Sequence, residues 1–186
     1  MKNKKMKMLS LCIFLVVLVS MIVGCKGADT NAEEKISSDL KLYYVNDEYV
    51  ATGNEDLNQM KEPYEVTIQT KPKDAYLEAV SKLKEAPLDG YVTMLSEQII
   101  IQSVKVEDGT AFVDLSSKNL SGGSMEEGLL VNQIVLTLLD SFDDIQQVQF
   151  TLDGGVTESL MGHVDVSKPF TVSDTGDGNK KVMIVE

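Results

Sequence analysis

Two periodicities run along the chain from Leu40 onward. LKLYYV (40–45) is dense in apolar and aromatic residues and predicts a strand. Asn46-Asp47-Glu48 then turns toward a short partner, YVA (49–51), giving an N-terminal β-hairpin. GNEDLNQMKEP (53–63) is polar and predicts a loop. YEVTIQT (64–70) alternates Tyr64, Val66 and Ile68 with polar neighbours, the pattern of a half-buried strand. KPKDAYLEAVSKLKEAP (71–87) switches to helical spacing: Ala75, Tyr76, Ala79, Val80 and Leu83 share one face. Pro72 suits its first turn, where a missing N–H costs nothing, and Pro87 ends it.

EQIIIQSVKVEDGTAFVDLSS (97–117) carries the sharpest local signal. Asp108-Gly109 fits a two-residue type I′ turn, which needs positive φ at both positions. The turn sets Glu107 opposite Thr110, Val106 opposite Ala111, Lys105 opposite Phe112 and Val104 opposite Val113. Alternation then places Val104, Val106, Ala111, Val113 and Leu115 on the core face. A second helix is expected from Ser124 to about Phe142, with Ser124 and Glu127 as a capping box. Leu130, Val131, Ile134, Val135, Leu138 and Leu139 make its apolar face, and Asn132, Gln133, Thr137, Asp140 and Ser141 its polar stripe. In IQQVQFTLDGG (145–155), Val148, Phe150 and Leu152 point inward, and Gln147, Gln149 and Thr151 outward.

The order helix, strand, strand, helix, strand defines an α+β fold: a two-layer αββαβ core with an added N-terminal β-hairpin. One domain is expected over residues 40–170, with 171–186 as a tail or an extra edge strand.

Ahead of the domain, Lys2, Lys4, Lys5 and Lys7 precede an apolar run, Met8 to Val23, that stops at Gly24-Cys25. A charged start, an apolar stretch and a small residue before the cut describe an export signal over residues 1–24. Ile22-Val23-Gly24-Cys25 resembles the bacterial lipobox, whose cysteine is acylated and becomes the new N-terminus. The alternative is an uncleaved anchor helix, for which Met8 to Cys25 is barely long enough. Residues 25–39 then form the lipidated cysteine and a flexible polar tether. Both readings put the domain on the extracytoplasmic face of the cell membrane.

Composition removes several function classes. Cys12 leaves with the signal and lipid consumes Cys25, so no thiol remains for a disulfide, a metal or a nucleophile. Losing residues 1–24 removes four lysines and no acid, leaving 13 lysines against 29 acids, a formal charge of −16. There is no arginine and no basic stripe, which argues against nucleic acid as a partner. His163 is the one histidine and makes a poor zinc site. DTGDGN (174–179) has glycines where a calcium loop needs ligands and reads as a surface turn. Asp143-Asp144 reads as the start of a turn. Ser121-Gly122-Gly123-Ser124 could hold an anion on helix N–H groups, but Glu126 and Glu127 would repel it. No catalytic residue, metal or cofactor is expected.

Four stretches in order, LYYVNDEYV, AYLEAVSKLKEAP, VKVEDGTAFVDLS and NQIVLTLLDSFDDIQQVQFTLDGG running on to ESLMGHVDVSKPF, resemble the GerMN domain family of sporulation and spore germination. The chain departs from it at Met94-Leu95-Ser96, where members have a Leu-Pro element, and has one such domain where the namesake has two. The resemblance implies an extracytoplasmic module like the ring-building domains of a sporulation channel, with an αββαβ core. It also implies a non-catalytic assembly role, with other envelope proteins as partners and the lipid anchor as the membrane contact. Homo- or hetero-oligomers are both open. The alternative is a lipoprotein that binds a cell-wall fragment, sugar or peptide.

Overall fold

The computed structural model describes residues 34–175 and 180–186. The export signal, Cys25 and most of the tether therefore lie outside the described residues, as do Gly176 to Asn179 of the 174–179 stretch. Lys35–Glu186 forms one compact unit.

The αββαβ core is present. Helix α2 (Ala75–Lys82) leads to β5 (Ile101–Glu107) and β6 (Thr110–Leu115); α3 (Ser124–Ser141) crosses over to β7 (Gln147–Leu152). β5 and β6 pair antiparallel, and β6 and β7 pair parallel, as a helical crossover requires. β8 (Gly155–Val156) folds back on β7. Two more strands, β9 (Phe170–Asp174) and β10 (Lys180–Ile184), extend the sheet to the order β10-β9-β7-β6-β5. The segment after Phe170 thus supplies a hairpin.

Asp108 and Gly109 adopt φ of 49° and 77°, and the strands pair Glu107 with Thr110 through Val104 with Val113. The Gly109 carbonyl also accepts the Gln146 and Gln147 N–H groups at 2.7 and 3.2 Å, fastening the turn to the start of β7. A Cβ at Gly109 would meet the Gln146 side chain at 3.2 Å. Gly109→Val is therefore expected to cost about 1–3 kcal/mol, read as a lowered thermal midpoint. A midpoint unchanged within error would contradict the turn's structural role.

The N-terminal hairpin differs from expectation. Asp47–Thr52 is a helix, α1, because the Asn46 side chain accepts the Glu48 N–H at 3.2 Å and Gly53 closes the turn at φ 64°. The first strand, β1 (Ile36–Leu42), pairs instead with β3 (Tyr64–Thr70) across seven residues, from Ile36–Thr70 to Leu42–Tyr64. Strand β1 thus opens at Ile36, inside the stretch expected to be tether. The 53–63 segment is tied down between them: Asn46 N–H donates to the Gln59 carbonyl and Lys61 N–H to the Tyr44 carbonyl, both at 2.9 Å. β2 (Val45–Asn46) pairs with β4 (Tyr91–Val92).

α2 is shorter than its sequence pattern, starting after a 3₁₀ turn at Pro72–Asp74 and ending at Lys82. Tyr44 braces this end: its hydroxyl proton is shared between the Lys82 carbonyl at 3.1 Å, which the helix end leaves open, and the Glu85 carbonyl of the following turn at 3.0 Å. Burial pushes that phenol up to about 12.

Candidate functional site

α3 is the spine of the domain, and its polar residues do most of the positioning. Leu130, Ile134, Val135 and Leu138 are fully buried in the core. The expected polar stripe is not a solvated face, however. Gln133 and Thr137 are also fully buried. Thr137 Oγ1 accepts the Tyr43 N–H at 3.0 Å and Ser141 Oγ the Lys41 N–H at 2.9 Å, so the stripe satisfies backbone at the end of β1 and just beyond it. Gln133 Oε1 takes the Met94 N–H at 2.9 Å, docking the 93–95 segment where the family resemblance breaks.

Asp140 continues the stripe and gathers three elements. It accepts the Tyr43 hydroxyl at 2.8 Å, pairs with Lys41 at 3.6 Å and contacts Lys180 of β10. Its burial acts against ionisation, but the lysines and the phenol outweigh it and hold the carboxyl below the ordinary range. Burial, with Asp140 beside it, drives the Tyr43 phenol far above its ordinary value.

The N-terminus of α3 corrects the capping assignment. Gly123 is the cap residue, Ser124 the first helical residue without a capping bond, and Glu126 reaches back to the Gly123 N–H at 2.7 Å. The anion position at Ser121–Ser124 is thus filled by the chain's own carboxylate. Glu127, one residue on, turns inward and is fully buried. Its Oε1 accepts Ser159 Oγ, Leu160 N–H and Met161 N–H at 2.7, 2.9 and 2.9 Å; its Oε2 accepts His163 and Val164 N–H at 2.8 and 3.2 Å. Desolvation opposes the charge, yet the hydrogen bonds from Met161, Ser159, His163 and Leu160 overcome it and lower the pKa. Such a carboxylate is a staple for the 159–164 loop. With five donors on its two oxygens it has little basicity left for proton transfer.

The other sequence candidates scatter. His163 contributes its backbone N–H to Glu127. Asp144 accepts the Tyr76 hydroxyl. Gln149, expected outside, is buried with its amide donating to the Phe150 and Val166 carbonyls at 2.9 and 2.8 Å. Among the described residues no His/Cys/Asp/Glu group could hold a metal, and no helix is long and apolar enough to cross a membrane. The larger concavities are open clefts. One of about 500 Å³ lies between β10 and the 57–63 segment, and one of about 530 Å³ beside Tyr44, Tyr64 and the end of α2.

A family model described as "Germane: Sporulation and spore germination" matches residues 41–158. The chain belongs to the Germane family. The matched span runs from Lys41, near the end of β1, to Glu158, covering the whole αββαβ core and stopping just before the Glu127-bound loop. No curated protein matches the chain. Among solved structures it is similar to the tandem GerMN domains of the sporulation protein GerM from Bacillus subtilis, at 22% identity and a TM-score of 0.51 over 80% of this chain. It spans 49% of that chain, about half, consistent with one Germane domain against two. The first GerMN domain of the same protein is similar at 16% identity and a TM-score of 0.50, over 70% of this chain and 92% of that one. At such identities the likeness speaks to the fold alone. A candidate lipoprotein of Clostridium perfringens, at 20% identity over 77% of this chain and 92% of that one, has a TM-score of 0.49, too distant to carry an argument.

Proposed function

We propose that this Germane chain is a lipid-anchored, extracytoplasmic and non-catalytic module that works by contact with other envelope proteins in sporulation or spore germination. The observation that carries the reading is where the domain leaves apolar surface. Ile36 opens β1, Ile100 immediately precedes β5, Val156 lies on β8, and Met183 and Ile184 lie on β10, and all are exposed, as are Leu88 and Met125 away from the sheets. These strands are sheet edges, whose unpaired backbone groups are templates for association. The carboxylates with shifted pKa and substantial burial, Glu127 and Asp140, are meanwhile committed to holding loops and strands together. Cys25 of the lipobox-like tetrad carries the anchor in this reading, and residues 26–35 link it to β1. The family description supports the developmental setting.

Two experiments test it. Cys25→Ser is expected to leave the signal uncut and to abolish labelling with a fatty-acid probe; continued labelling would remove the anchor. Cross-linking of the anchored protein in envelopes, followed by pull-down at several growth stages, is expected to capture protein partners. Hydrolysis of a wall polymer by the purified chain, or micromolar binding of a wall sugar, would replace the contact reading with an enzymatic or ligand-binding one.

A further inference from the structure

We propose that the cleft beside β10 receives an extended acidic segment of a partner protein, added as a strand to the free edge of β10. The inference rests on the contact reading above and names the surface it uses. Among the described residues β10 ends the sheet and pairs on one side only, with β9. The cleft opens between it and the 57–63 segment, over α3 at Asn132 and Leu136. Lys180, Lys181 and Val182 all line it. Successive side chains of a strand point to opposite faces, so three consecutive residues border one cleft where the strand presents its edge. The unpaired main-chain donors and acceptors of β10 therefore face into this space.

The other walls suit a peptide. Asn58 and Gln59 stand opposite and Asn132 on the floor; Gln59 already donates to the Tyr49 hydroxyl at 3.1 Å and accepts from Asn132 at 3.5 Å, which leaves the Asn58 amide and the remaining Asn132 donor and acceptor positions to meet a main chain. The volume, about 500 Å³, lies within the roughly 300–1,000 Å³ of ligand-binding clefts. Charge selects the occupant. Acids outnumber lysines 29 to 17 in the chain, yet this cleft is lined by Lys61, Lys180 and Lys181 against one carboxylate, Glu62. Asp47 and Asp140 engage Lys61 and Lys180, while Lys181 is exposed. Edge lysines also repel a second β10, which disfavours self-pairing there. Strand addition would supply affinity through the backbone, and Lys181 foremost, since Asp47 and Asp140 already hold Lys61 and Lys180, would supply the preference for acidic side chains.

The test uses the full chain in detergent and a blocked heptapeptide of alternating Glu and Val, with a Lys/Val peptide as control. Hydrogen exchange followed by mass spectrometry is expected to show slowed exchange in 180–184 with the acidic peptide alone. Lys61→Glu and Lys181→Glu are expected to weaken that binding about tenfold or more with circular dichroism unchanged; Lys181→Gln serves if a reversal disturbs the fold. Three results would overturn the proposal: no protection up to about 1 mM peptide, equal protection by both peptides, or peptide-free protection of 180–184 that rises with protein concentration. Envelope cross-links that survive Lys181→Glu undiminished would overturn this surface while leaving the contact reading intact.

Discussion

Glu127→Gln is expected to cost about 3 kcal/mol of stability at neutral pH, because it puts an amide where a carboxylate receives five donors. A glutamine oxygen at the Oε1 position would keep Ser159, Leu160 and Met161, but its NH₂ group would then face the His163 and Val164 N–H groups. Donor would meet donor, and both backbone groups would lose their partner. Turning the amide over strands the other three instead. Glu127→Ala is expected to cost at least as much, since it leaves the donors open and a void where a fully buried side chain stood. The loss should appear first in the 159–164 loop, as faster amide exchange there than in β6 or β7.

The same carboxylate gives the domain an acid limit. Its folded pKa lies below the ordinary 4.5, so the unfolded chain binds the proton more readily than the folded one. The stabilisation is complete above about pH 4.5 and is lost as pH falls through the folded pKa. Asp140, held below its ordinary 3.8 by Lys180, Tyr43 and Lys41, adds a loss of the same sign as the pH falls below 3.8. The midpoint of the unaltered chain is expected to decline on acidification through this range. Glu127→Gln should start lower and decline less, and parallel curves for the two proteins would show that Glu127 is not the titrating group.

These two carboxylates also mark where the sequence stops being readable. The β5–β6 register was legible because Asp108-Gly109 fixes the turn and a period of two carries every side chain to its face. The αββαβ order was legible for the same reason, from long periodic segments. At the start of α3 the string GGSMEE offers two adjacent glutamates at capping distance from two adjacent cap candidates. Which one caps and which one is buried depends on the 159–164 loop more than thirty residues away, and that loop has no period of its own. A signal was nonetheless present: Glu127, Val131, Ile134 and Leu138 share one helical stripe, so a charge stands on an otherwise apolar face. The polar stripe at Gln133, Thr137 and Ser141 is ambiguous in the opposite sense. Polar residues on a helix suggest water, but here they meet backbone from the 93–95 segment and from the end of β1 and just beyond it. Asn46-Asp47-Glu48 is the third ambiguity, since an Asx residue followed by two acids serves a turn and a helix start equally well.

Leu138→Ala and Ile134→Ala are each expected to cost about 2–5 kcal/mol, the range for truncating a fully buried aliphatic side chain. The upper part of that range is argued by the surroundings. α3 packs against α2, β1, β7, β9 and β10, so the space left by either side chain is bounded on several sides. Those walls cannot easily close on it. Thr137 and Ser141 hold the segment from Lys41 to Tyr43 by its backbone at 3.0 and 2.9 Å, and Asp140 fixes Tyr43 and Lys180 beside them. A site that cannot collapse keeps its cavity, and the cavity adds to the lost transfer energy. Ile134→Val, which removes one methylene at the same place, is expected to cost only about 1 kcal/mol. Urea unfolding reads all three as shifted midpoints with an unchanged slope, because the surface exposed on unfolding stays nearly the same. Near-neutral midpoints for both alanine variants would mean that this face of α3 is not the centre of the core, and that the strands around it are held by something other than packing.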